Sequence, residues 1–197
     1  MRLLQYDCRM CLPRAREHNH APSRRRLLTS LAAAAAAAAV SPARLFAGSW
    51  EPRDVAFVHT HTHEQLSLTY FADGSYDADS LAALNWFLRD HRTGDQHPID
   101  PALFDILHGL RLATGTAAPF QVISGYRSPR TNGMLREKSR GVAAGSLHLQ
   151  GRAIDIRLAD VRSAALRDAA IRLRRGGVGY YASGDFVHVD TGRFRTW

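Results

Sequence analysis

Ser146-Leu147-His148-Leu149-Gln150-Gly151-Arg152-Ala153-Ile154-Asp155 and, near the C-terminus, Asp185-Phe186-Val187-His188-Val189-Asp190 decide how this chain reads. His148, Asp155 and His188 together offer two imidazoles and one carboxylate, a donor set that suits zinc. Three protein ligands leave a fourth tetrahedral position for water, as a catalytic zinc requires and a closed structural zinc does not. A His–Asp pair followed 33 residues later by a second His is a modest signal by itself, because such pairs more often make structural hydrogen bonds. The flanking residues sharpen it.

Around these stretches the pattern is one of short strands and helices. Ala153 to Leu158 alternates as a strand, with Ala153 and Asp155 on one face and Ile154 and Ile156 on the other. In the final strand Phe186, His188 and Asp190 share a face, so Asp190 is expected beside His188. Val178 to Tyr181 is the strand before it, and Leu166, Ala170 and Leu173 mark a helix that stops ahead of Gly176-Gly177. Gly141 to Gly145 is a flexible approach to His148. Phe120 to Ser124 is a buried strand running into Gly125-Tyr126-Arg127-Ser128-Pro129, and Thr131-Asn132 opens a polar helix to about Arg140. Arg127 thus sits at a strand exit, where a fixed guanidinium suits carboxylate recognition or oxyanion stabilisation.

Upstream, Val55 to Tyr70 reads as a hairpin closed before Asp73-Gly74. His59, His61 and His63 alternate at its turn end; a surface tip is expected there, with adventitious metal binding as the competing reading. Asp79 or Ser80 is expected to cap a helix over Leu81 to Arg92, and Asp100-Pro101 opens a second with Gly115 past its end. His91 and His108 are expected on the faces of these helices. Mixed helices and short strands make the class α+β, a small domain with a central antiparallel sheet and flanking helices.

The formal net charge of +8 lies mostly in residues 1–47, which hold 8 Arg against 2 acidic residues. Residues 48–197 hold 18 basic and 16 acidic residues, with no basic stripe interleaved with aromatics, which excludes a nucleic-acid footprint for the body. Ser23-Arg24-Arg25-Arg26-Leu27-Leu28, the alanine-rich run Leu31 to Val40 and the small residues around Ala43 and Ala47 have the layout of a twin-arginine export signal. The run falls short of the roughly 20 residues a stable span needs. Residues 1–47 are therefore expected to be an N-terminal extension and signal, and 48–197 the functional domain. Cys8 and Cys11 lie within that extension, so the domain has no cysteine and relies on its hydrophobic core.

The spacing Ser146-x-His148-x-x-Gly151-x-Ala153-x-Asp155 resembles the signature of the zinc peptidases that include D-Ala-D-Ala carboxypeptidases and the zinc fold of hedgehog signalling domains. Ser124-Gly125-Tyr126-Arg127-Ser128-Pro129, Gly176 to Tyr181 and Phe186 to Gly192 resemble more closely the YcbK-like branch, the MepK-type murein endopeptidases. The resemblance implies one zinc on His148, Asp155 and His188, and metal-assisted peptide hydrolysis. It leaves the general base between Asp190, favoured by strand alternation, and Asp185, three residues before the last zinc histidine. Arg127 would hold a substrate carboxylate or the oxyanion, with Ser124 and Tyr126 shaping that wall, and Gly151 and Ala153 would keep the cleft open. The implied substrate is the peptidoglycan stem-peptide cross-link, at diaminopimelate–diaminopimelate or D-Ala–diaminopimelate bonds, in the periplasm. Two alternatives remain: a carboxypeptidase trimming terminal D-amino acids, and a zinc-stabilised wall-binding module without turnover.

Overall fold

The structure is a computed structural model that describes residues 51–138 and 142–197. The expected leader, with Cys8 and Cys11, and the expected helix end at 139–140 lie outside the described residues. Eight strands make one sheet: β1 (Arg53–His59), β2 (Gln65–Ala72), β3 (Ser75–Tyr76), β4 (Phe120–Ser124), β5 (Ala153–Arg157), β6 (Gly177–Tyr181), β7 (Phe186–Asp190) and β8 (Arg195–Thr196), in the order β3-β2-β1-β4-β5-β7-β6-β8. Among the described residues four α-helices accompany it: α1 (Ala78–Phe87), α2 (Pro101–Thr114), α3 (Pro129–Lys138) and α4 (Ser163–Leu173).

The class is the one expected, and the sheet is mixed. The pairs β1–β2, β2–β3, β4–β5, β5–β7 and β6–β7 are antiparallel, whereas β1–β4 and β6–β8 are parallel. A parallel pair needs a long crossover, and α1 and α2 provide the one between β1 and β4. Between β2 and β3 the turn residues Asp73 and Gly74 both have positive φ, the twist that closes a tight hairpin.

Alternation then sorts the two faces of the sheet. Val55, Phe57, Val122, Ile154, Ile156, Val187 and Val189 are buried in one core with Leu103, Leu107, Leu110, Leu166 and Ala170 from α2 and α4. Asp100 caps α2 by accepting the Ala102 N–H at 3.0 Å, Pro101 starts the helix, and Gly115 ends it at φ 66°. Because Ile154 and Val187 face those helices, Asp155 and His188, which are cross-strand partners, must face the other side. The metal-type residues therefore stand on the sheet face opposite α2 and α4.

Three local expectations change. The first helix is capped by Asp77, whose carboxylate accepts the Ser80 N–H at 2.7 Å, and it ends at Phe87. The Leu88 carbonyl then accepts the Tyr126 N–H, so the chain leaves the helix to grip the loop after β4. His91 is consequently off the helix, with its ring stacked on His61 at 4.3 Å, while His108 does lie within α2. Finally, His59 is no surface residue: it ends β1 pointing inward, 1% exposed, and its Nδ1 accepts the N–H groups of His61 and Thr62. His61 and His63 belong to the turn, so the three imidazoles do not share a strand face.

Candidate metal centre

His148 is carried by a single 3-10 turn, Leu147–Gln150, closed by Gly151 at φ 64°. A Cβ on Gly151 would come within 2.2 Å of the Pro98 carbonyl oxygen, so glycine is needed here for close packing and for the left-handed turn. Ala153 is fully buried in the sheet opposite Asp190. Neither residue lines the cleft, so their smallness serves packing and does not keep the cleft open.

The three predicted ligands converge. His148 Nε2, Asp155 Oδ1 and His188 Nδ1 lie 2.9–3.2 Å from one another, and among the described residues no other group of three His, Cys, Asp or Glu comes together so closely. The outer nitrogens fix the tautomers. His148 Nδ1 lies 2.7 Å from the Gly125 carbonyl, to which it donates, and His188 Nε2 lies 3.0 Å from Asp190 Oδ2. Each inner nitrogen is thereby free to present a lone pair to the point that Asp155 Oδ1 also faces. Those are the protonation states a divalent metal requires, so the residues present fit a metal ion.

In the metal-free protein His188 keeps the proton that a metal ion would displace. Burial raises the Asp155 carboxyl, but His148 and His188 more than offset that and hold it far below the usual carboxylate range. Burial lowers His148. For His188, burial pulls down while hydrogen bonds to Asp155 and Asp190 pull up, and without a metal the balance pushes it up to about 9. Each of the two carboxylates beside His188 is also paired with an arginine, Asp155 with Arg127 and Asp190 with Arg195.

Arg127 stands behind the carboxylate. Its Nη2 donates to Asp155 Oδ2 at 3.2 Å and to Ser124 Oγ at 3.3 Å, and the group still borders the cleft. The loop carrying it is tied at every residue: Tyr126 N to Leu88 O, Arg127 N to His148 O and Ser128 N to Asp90 Oδ2. A Cβ on Gly125 would stand 2.6 Å from the Leu88 carbonyl oxygen. Asp90, buried and accepting also from the Arg92 N–H, escapes the sequence because it falls in the stretch expected as helix to Arg92, whereas the helix ends at Phe87. Ser124 sits buried beneath Arg127, and the Tyr126 ring stacks on His97 at 4.9 Å, so neither forms the wall expected of it.

Both candidate bases also move. Asp190 does share a face with His188, but it lies behind that ring, with no exposed surface. Its Oδ2 accepts from His188 Nε2 and Arg195 Nη2, and its Oδ1 from Arg195 Nη1 and the N–H groups of Gly177 and Gly192. With its lone pairs engaged and its position away from the ligand atoms, it orients His188. Asp185 adopts φ 50°, accepts the Ser163 hydroxyl at 2.7 Å and faces a separate hollow beside residues 158–164. Strand alternation reports the face of a side chain, not which edge of an imidazole it will meet.

The cleft over the ligands has a volume of about 450 Å³. Besides His148, Asp155 and His188 it is bordered by Arg127, Arg195, Tyr181, Phe186 and Trp197, with residues 142–143 and 145–147 completing it. Among the described residues, Asp155 is the only carboxylate on it. The aromatic wall was not anticipated: Tyr181 and Phe186 stack at 4.6 Å, and Trp197 lies 5.2 Å from the His188 ring.

Comparison with known proteins places this architecture. The family model described as Peptidoglycan L,D-endopeptidase MepK matches residues 47–197. Peptidoglycan L,D-endopeptidase MepK of Escherichia coli K12 is 42% identical over 175 residues, covering 88% of this chain and 96% of that protein. The protein of the same name from Shigella flexneri gives the same figures. Probable peptidoglycan L,D-endopeptidase MepK of Haemophilus influenzae is 40% identical over 148 residues, covering 75% of this chain and 80% of that protein. The chain is a metallopeptidase with a His–Asp–His centre, and it belongs to the family of MepK peptidoglycan L,D-endopeptidases.

Proposed function

We propose that this chain is a zinc endopeptidase of the periplasm that hydrolyses the peptide cross-links of peptidoglycan at diaminopimelate–diaminopimelate bonds. The observation that carries the reading is the His148–Asp155–His188 group opening onto a cleft in a chain of this family. The donor set, two imidazoles and one carboxylate without a thiolate, is of the kind found in catalytic zinc sites with three protein ligands. Bound there, zinc supplies a Lewis acid for the scissile carbonyl and brings the pKa of its water to about 7. The Ser23–Leu28 and Leu31–Val40 segments support export by the twin-arginine route, and no described helix is long and apolar enough to cross a membrane.

The chain's own residues then have distinct tasks. Arg127 fixes Asp155 through Oδ2, which directs Oδ1 at the ligand point, and its cleft-facing edge is available to a substrate carboxylate or to the carbonyl oxygen as it gains charge. Asp190 holds the His188 ring by its Nε2–H and raises the basicity of Nδ1. Arg195 neutralises Asp190 from behind. A diaminopimelate cross-link carries free carboxylates beside the scissile amide, the chemistry that Arg127 is suited to recognise.

The test uses muropeptide dimers of defined linkage, incubated with the purified zinc-loaded chain and resolved by mass spectrometry. Diaminopimelate–diaminopimelate dimers are expected to yield monomers, with the chelated protein inert. Cleavage confined to D-Ala–diaminopimelate dimers, or release of single D-amino acids, would overturn the assignment of the bond.

A further inference from the structure

A peptide hydrolase needs more than an electrophile: charge develops on the carbonyl oxygen, and a preorganised donor in the cleft stabilises it. Arg127 commits Nη2 to Asp155 and Ser124 and offers the cleft only its remaining edge. A second side-chain donor on the cleft is Tyr181. Its side chain ends β6 on the cleft, with the ring stacked on Phe186 at an interplanar angle of 12°. The Trp197 indole N–H donates to the Tyr181 oxygen at 3.0 Å. A phenol that accepts through its oxygen keeps its own O–H to donate, and Tyr181 borders the cleft.

The position of that indole is built into the sheet. Gly179 is the cross-strand partner of His188, and a Cβ on Gly179 would stand 2.6 Å from the Trp197 ring. The missing side chain therefore makes the recess in which the indole lies. Arg195 holds the ring from another side at 4.8 Å while bonding Asp190. Trp197 is 51% exposed, yet it is held by a hydrogen bond, a cation–π contact and a glycine recess. An exposed aromatic fixed in this way beside a metal ligand is a working surface of the site.

We propose that Tyr181 is a catalytic residue, donating its phenolic hydrogen bond to the substrate carbonyl oxygen as that oxygen becomes tetrahedral, and that Trp197 positions it. This rests on the peptidase reading of the cleft. The donor asks for no proton transfer: the phenol stays protonated and strengthens one hydrogen bond as charge grows.

The test compares the full chain with Tyr181→Phe, which keeps the ring and its stack on Phe186 and removes only the hydroxyl. On diaminopimelate-linked dimers, kcat is expected to fall about 100- to 1,000-fold, the usual effect of losing one oxyanion donor, with KM changed less than about threefold. Zinc stoichiometry should be unchanged. The second readout needs no turnover: calorimetric binding of a dipeptide phosphinate, tetrahedral at phosphorus, should weaken at least about tenfold in Tyr181→Phe, while a ground-state dipeptide is held as before. Trp197→Phe should lower kcat less, and should add little when combined with Tyr181→Phe, since both act through one hydroxyl. An inactive wild type that binds zinc and discriminates the phosphinate through Tyr181 would reject the peptidoglycan assignment and keep Tyr181. Unchanged kcat and unchanged phosphinate affinity in Tyr181→Phe would overturn the proposal, as would a wild type that ignores the phosphinate or a loss that appears only in KM.

Discussion

Replacing Asp190 with Asn distinguishes a residue that orients a ligand from one that takes a proton. The two carboxylate oxygens accept five hydrogen bonds at 2.7–3.0 Å, from His188, Gly177, Gly192 and twice from Arg195. An amide retains one acceptor oxygen. If its NH₂ occupies the Oδ2 position it meets the His188 N–H and Arg195; if it occupies Oδ1 it meets two backbone N–H groups. Either way at least two donors lose their acceptor, at a cost of about 1–3 kcal/mol for each one that is buried. The His188 ring also loses the negative partner that holds its orientation, a change that typically weakens metal affinity 10- to 100-fold, or about 1.4–2.7 kcal/mol. The assay is competition for zinc against a chromophoric chelator at neutral pH, run beside thermal melting of the metal-free protein. Asp190→Asn is expected to bind zinc 10- to 100-fold more weakly and, metal-free, to melt earlier. Wild-type zinc affinity combined with abolished hydrolysis would refute this reasoning and make Asp190 the general base that strand alternation suggests.

Other consequences follow from the same network. In the metal-free protein the His188 pKa is raised, so its stabilisation is complete below an unfolded pKa of about 6.5 and is lost as pH rises through about 9. Asp155 and Asp190 are depressed, so theirs is present above an unfolded pKa of about 3.9 and fades as pH falls below it. His59, His91 and His148 are lowered by burial, so their stabilisation is lost as pH falls below about 6.5. Metal-free stability should therefore peak near neutral pH, where zinc binding should release the His188 proton, measurable by calorimetry in buffers of different ionisation enthalpy. Gly151→Ala combines a left-handed φ of 64° with a contact to the Pro98 carbonyl. It should cost about 2 kcal/mol or more, lowering the melting temperature by roughly 4–8 °C. Asp90→Ala leaves the Arg92 and Ser128 N–H groups without their acceptor. A loss of about 2–4 kcal/mol is expected by chemical denaturation, with hydrolysis reduced while zinc is retained, because the Arg127 loop loosens. Zinc loss in Asp90→Ala would show that this loop supports His148 more than Arg127.

The ligands were legible because each sits in a short segment whose neighbours constrain it: His148 ahead of a glycine turn, and Asp155 and His188 on strands with strict alternation. Their convergence follows once β5 and β7 pair, with Asp155 opposite His188. What escaped the sequence was set by contacts between distant segments. Nothing local in Tyr180-Tyr181 or in Arg195-Thr196-Trp197 announces that Trp197 will settle over Gly179, since this depends on β8 joining β6 in parallel. His59 looked like a hairpin tip because its burial comes from the neighbouring β4 and from Phe87, both far along the chain. The fate of Asp190 was half visible. Period-two alternation put it beside His188, but only the rotamer and the approach of Arg195 decide that it meets Nε2 and not the ligand point.

His148, Asp155 and His188 are expected to hold one metal ion that makes this chain a hydrolase of peptidoglycan cross-links. The most direct measurement incubates the purified chain with isolated peptidoglycan, after its zinc content has been counted, alongside a chelated sample and His148→Ala. One zinc per chain and loss of cross-linked dimers that disappears with the chelator, returns with zinc and is absent in His148→Ala is the predicted result. One zinc per chain with peptidoglycan bound but every cross-link intact would make the chain a wall-binding module and not a hydrolase.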